Sequence, residues 1–124
     1  MNNQKILKTI QEENFIWIIY LVLIALCLYA NGFEKKYYVK NDLYSKENYR
    51  KINILVFSIA VVIYYYFFIG SYKAVKNLKY FDSPQKKFLN EMNLLASTLI
   101  LIAGSILLFI AIVDTNLDTE IAFT

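Results

Sequence analysis

At 124 residues and 58% hydrophobic side chains, the chain suffices for one domain but is more apolar than a water-soluble fold, where about 45–50% is usual. Its net charge of +3 rests on twelve lysines and Arg50, gathered in short segments beside apolar runs; that pattern suits anionic headgroups and argues against a nucleic-acid partner. Histidine is absent and Cys27 is the single cysteine, which excludes an internal disulfide and leaves too few ligands for a zinc site.

Three runs carry no charge at all. They lie between Glu13 and Glu34, Lys51 and Lys73, and Glu91 and Asp114, with 20, 21 and 22 residues respectively. At about 1.5 Å per residue each spans roughly 30 Å as a helix, the thickness of a bilayer's hydrocarbon core. A soluble bundle would interrupt such runs with charge on its wet face. The expected fold is therefore all-α: an integral membrane three-helix bundle forming a single membrane domain over 1–124. Spans are expected near 14–32, 52–72 and 92–113, connections at 33–51 and 73–91, and an acidic tail at 114–124. The lipid bilayer is the expected partner, and a multi-pass place in the cell membrane the expected location. Abundant Lys, Asn, Ile and Tyr fit an AT-rich coding sequence, a compositional hint of a bacterial source.

Taken in order, Ile6, Leu7 and Ile10 give the amino-terminal segment a sparse apolar face, as in a short interfacial helix leading into the first span. Lys5 and Lys8 precede that span, and Ala30-Asn31-Gly32 loosely fits a small-x-small cleavage site. Glu12 and Glu13 stand directly before it, however, and the stretch 15–30 exceeds the roughly 7–15 residues of a signal peptide, so a retained span is expected. Trp17 and Tyr29 are its expected boundary anchors. Asn31-Gly32 is its expected helix terminator, since both residues tolerate the left-handed conformation. Cys27 reads as a small packing residue.

The first connection holds Tyr37, Tyr38, Tyr44 and Tyr49, six basic residues and three acidic ones. Rings and amines of this kind favour headgroups, so a boundary loop is expected, with ligand recognition the functional alternative. The second span carries Tyr64-Tyr65-Tyr66-Phe67-Phe68. Successive helical positions point about 100° apart, so the three hydroxyls face different ways and each needs a partner or the interface. Tyr65 shares a heptad face with Ser58 and Tyr72, and this face is expected to meet a neighbouring helix. The helix is expected to continue to about Tyr80. Ser83 then caps a new helix with Pro84 in its first position, making helices 2 and 3 an antiparallel hairpin.

On the third span Ser97, Gly104 and Ala111 recur every seven residues; Ala96 and Ala103, and Thr98 and Ser105, repeat that spacing beside them. Small residues let helices approach closely in lipid, so these are helix-packing candidates, within the chain first and toward another subunit second. The tail, with Asp114, Asp118 and Glu120, reads as a solvated end. Basic residues set orientation. The amino-terminal segment and second connection together hold seven, and the first connection holds six. That margin of one decides little, but the flanks of the third span, five basic residues against none, place the second connection inside, so the amino terminus is expected inside and the acidic tail outside.

Catalytic chemistry is thin. Without histidine the commonest general base and metal ligand are missing. No charge within a span offers a proton relay. Gly32, Gly70 and Gly104 are isolated, so no phosphate-cradling loop exists. The pairs Ser71/Lys73 and Ser83/Lys86 sit at wet membrane edges, where lysine stays protonated. No enzyme, catalytic residue, cofactor or metal is expected. The expected function is that of a small multi-pass membrane protein, a non-catalytic accessory or regulatory subunit acting through helix–helix contacts with a membrane protein or a second copy. One alternative is a holin-like pore former, favoured by size and three spans but not by the long connections and acidic tail. Another is a membrane immunity protein against a toxin or bacteriocin, which would meet its target at the tyrosine-rich first connection.

Overall fold

The computed structural model describes residues 3–119, and three helices make up nearly all of them: α1 (Asn3–Lys40), α2 (Leu43–Lys76) and α3 (Pro84–Val113). Each contains a stretch long and apolar enough to cross a bilayer, and each uncharged run lies wholly or almost wholly inside a helix. The all-α class with three candidate membrane spans is thus what the chain adopts. Glu120 and the residues after it lie outside the described residues.

Buried positions recur at sevens: Ile16, Leu23 and Ala30 on α1; Tyr49, Val56 and Ile63 on α2; Gly104 and Ala111 on α3. A period of seven keeps one stripe of a helix on one side for several turns. The remaining large apolar side chains point mostly outward, Leu21, Leu28, Val62 and Phe109 among them. An outward apolar surface on this scale belongs in lipid, since water-soluble chains rarely expose contiguous apolar patches beyond a few hundred Å².

Packing divides the described residues inside α2, into one compact unit up to Val56 and a second from Phe57 onward. In the first unit α1 does not end at Asn31-Gly32 as expected but runs on to Lys40. Gly32 keeps a negative φ. The segment 33–40 contains neither glycine nor proline, and the Tyr29 and Phe33 rings meet edge-on at 4.9 Å across the Gly32 turn. Their i,i+4 contact and the continuing hydrogen-bond ladder outweigh the roughly 1 kcal/mol that a mid-helix glycine costs. The stop comes at Asn41, with φ 55°, whose N–H bonds to the Tyr37 carbonyl at 2.8 Å. Asparagine takes this left-handed cap at little cost. Asp42 then opens α2: one carboxylate oxygen accepts the Tyr44 amide at 3.1 Å, the other the Ser45 hydroxyl at 2.8 Å.

The first connection is therefore two helical ends and a two-residue corner rather than a loop. Its α1 side projects about 10 Å beyond the uncharged run. Lys46 places its ammonium 5.4 Å from the Tyr37 ring centre, tying the two ends together. Ser45 and Tyr49 are buried, while Tyr38, Val39, Leu43 and Tyr44 are all exposed around the corner.

In the second unit α2 stops at Lys76, a turn earlier than expected. Asp82 explains the difference: its carboxylate accepts the Lys79 amide at 2.7 Å, and its own N–H bonds the Lys79 carbonyl at 3.0 Å, closing a turn where another helical turn would have run. Ser83 caps α3 as expected, accepting the Lys86 amide at 3.1 Å, with Pro84 first in the helix. At the far end the Asp114 carboxylate gathers the amides of Asp118 and Thr119 at 2.9 and 2.8 Å, so the tail begins as an ordered turn. From Phe57 onward α2 and α3 form the expected antiparallel hairpin.

Candidate helix-packing site

The register of that hairpin is readable from two contacts. Ser71 meets Ser97, with hydroxyl oxygens 2.9 Å apart. Seven residues back on α2 and seven forward on α3, Tyr64 lies against Gly104. The next step of the same register puts Phe57 level with Ala111, and both are buried.

Gly104 is there because nothing larger fits. A Cβ at this position would lie 2.7 and 2.9 Å from two Tyr64 ring carbons and 3.6 Å from a Val61 methyl. The missing side chain admits the aromatic ring, the way small residues bring helix axes together where no water is available to be expelled.

Near the opposite end of the interface the polar groups close into a ring. The Asn93 side-chain amide donates to Ser71 Oγ at 3.1 Å, and Ser97 Oγ donates to the Asn93 carbonyl at 3.0 Å. With the Ser97 hydrogen committed, the Ser71 hydroxyl donates to Ser97. Each hydroxyl both gives and receives, so neither is left bare in an apolar medium. Thr98 and Ser105 instead return their hydroxyls to the carbonyls of Leu94 and Leu101 in their own helix, at 2.8 Å each.

The expected packing residues separate into two sets. Ser97, Gly104 and Ala111 face α2, and Gly104 and Ala111 are buried. Ala96 and Ala103, one position away and about 100° around the helix, are exposed. On α2, Tyr65 and Tyr72 are 56% and 50% exposed, Ser58 is half-buried, and the tyrosine that meets α3 is Tyr64. Tyr64, Ser71 and Asn93 were not among the packing residues expected from the sequence. The available signal was the heptad Phe57–Tyr64–Ser71, which mirrors Ser97–Gly104–Ala111 in reverse. Trp17 and Tyr29 are both exposed on α1. They stand twelve residues apart, about 18 Å of helix. Each ring must therefore reach some 6 Å outward for the pair to mark both edges of a roughly 30 Å core.

Among the described residues no group of three or more acidic or cysteine side chains is assembled that could hold a metal ion. Comparison of the chain with protein-family models, with curated proteins and with solved structures returns no match.

Proposed function

We propose that this chain is a non-catalytic subunit of the cell membrane that works through helix–helix contact. The observation that supports it is the division of α3 into two small-residue rows. One, Ser97–Gly104–Ala111, is spent inside the hairpin; the other, Ala96 and Ala103, points outward among large apolar side chains. A chain whose purpose was its own packing needs one such row. The absence of histidine and of charge within the spans supports the non-catalytic part of the reading.

Purification of the tagged protein in mild detergent tests it. The reading expects a defined assembly that is lost when Ala96 and Ala103 are both changed to phenylalanine, with the helix content retained. A strictly monomeric wild-type protein with nothing bound contradicts it.

A second reading, immunity against a membrane-active toxin, draws on the helical corner at Asn41-Asp42. Four large apolar side chains, Tyr38, Val39, Leu43 and Tyr44, stand exposed on a capped, ordered projection. Rigid exposed aromatics on such a platform are typical anchors for a protein partner. Protection that survives Tyr38→Ser together with Tyr44→Ser would remove this reading.

A further inference from the structure

We propose that the chain inserts in both orientations and that the partner on the outer face of α3 is a second, inverted copy. The first line of argument is topological. Any span places the connections on its two sides in opposite compartments. The first connection holds Lys35, Lys36, Lys40, Lys46, Arg50 and Lys51; the second holds Lys73, Lys76, Lys79, Lys86 and Lys87. Whichever way the chain enters, a strongly basic connection is stranded on the far side. The rule that retains basic loops inside therefore gives almost no preference between the two insertions.

The second line is charge complementarity along α3. Lys86 and Lys87 lie in its first turns, Lys86 3.3 Å from the Asp82 carboxylate but with its side chain 58% exposed, while Asp114 and Asp118 follow its last turn with no basic residue among them. Two parallel copies would set like charges beside like. Two antiparallel copies that place Ala96 of one level with Ala103 of the other bring Lys86 within one residue's rise, about 1.5 Å along the axis, of its counterpart's Asp114. The same alignment sets the two positions with the shortest side chains opposite each other, where the axes approach most closely. The face that this pairing covers, Leu95, Ala96, Leu99, Ile102, Ala103 and Ile106, is exposed throughout. Repeating near 3.5 residues, it suits a two-fold, self-complementary contact.

The inference rests on the reading that this face is a contact surface, and the experiment separates the two. In a Cys27→Ala background, Asn77→Cys reports on the second connection and Thr115→Cys on the tail, which lie on opposite sides of the third span. An impermeant maleimide applied to intact spheroplasts is expected to label about half of each variant, rising to all after lysis. Complete labelling of one site with none of the other overturns dual insertion. Copper-catalysed air oxidation then tests the pairing. Ala96→Cys and Ala103→Cys chains expressed together are expected to form a 96–103 disulfide, and each expressed alone to stay uncrosslinked. A 96–96 disulfide means parallel copies and overturns the proposal while leaving the contact face in place. No crosslink in any combination overturns the inverted pair, and a monomer in detergent as well would remove both readings.

Discussion

Adding a methyl group at each of the three glycines gives results of opposite sign. At Gly104 a Cβ would sit 2.7 Å from a Tyr64 ring carbon, about 0.8 Å inside ordinary carbon–carbon contact. If the helices moved apart by that amount, the 2.9 Å Ser71–Ser97 contact would open to about 3.7 Å, beyond hydrogen-bond reach. If the ring turned aside instead, it would lose its own packing. Overpacking of this kind costs about 1–3 kcal/mol, and alanine returns about 0.5–1 kcal/mol as the better helix former. The expected net loss is about 1 kcal/mol for Gly104→Ala and about 2–3 kcal/mol for Gly104→Val, which gains little in propensity. Gly32 and Gly70 meet nothing within 4 Å of a built Cβ, so Gly32→Ala and Gly70→Ala are expected to be neutral or to stabilise by up to about 1 kcal/mol. Equilibrium unfolding by dodecyl sulfate in mixed micelles, read by energy transfer between dyes on cysteines at the outward positions 62 and 106 in a Cys27→Ala background, measures the hairpin directly. Tyr64→Leu combined with Gly104→Ala should recover most of the loss. A neutral Gly104→Val, or a loss that Tyr64→Leu leaves unchanged, would show that the ring and Gly104 are not in contact.

Three further outcomes are expected. Ser71→Ala opens the polar ring, leaving the Asn93 amide without its acceptor, and should cost the hairpin about 0.6 kcal/mol and at most about 2 in the same assay; no change would mean that the ring is not formed in lipid. Asn41→Gly should keep the corner at wild-type stability, whereas Asn41→Val, forced to φ 55°, should lose about 1–2 kcal/mol; equal protease resistance of the two at the first connection would refute the left-handed cap. The Lys79 backbone amide holds the Asp82 carboxyl below its ordinary value of 3.8, against an opposing desolvation, with Lys86 and Lys87 adding to the lowering. Because the folded value is the lower one, the turn 79–82 gains its stabilisation above the ordinary value and loses it as pH falls through the lowered one. Hydrogen exchange at the Lys79 amide should follow that course, and Asp82→Asn should flatten it.

How far the sequence alone reached differs from element to element. The spans were legible because absence of charge over some thirty ångströms is a property of the chain and needs no partner to interpret. The start of α3 was legible because Ser83 and Pro84 act on backbone groups within three residues of themselves. The stop of α1 was misplaced because Asn31-Gly32 permits a helix end without requiring one. The choice was made by Phe33 packing on Tyr29 and by a better cap at Asn41.

The chain by itself determined the medium, the number of helices and the presence of small-residue rows on α3, since each follows from local hydrogen bonding and from which side chains lipid accepts. Only the tertiary structure decided which row is spent. Ala96–Ala103 and Ser97–Gly104–Ala111 are near-equivalent as patterns, and Tyr64 and Tyr65 are identical as residues. What distinguishes them is the shape and polarity of a surface contributed by residues 26 to 40 positions away in the chain. A seven-residue spacing marks a stripe, but a ring seated over a missing side chain, and a hydroxyl with its one proton already committed, exist only once two helices have met.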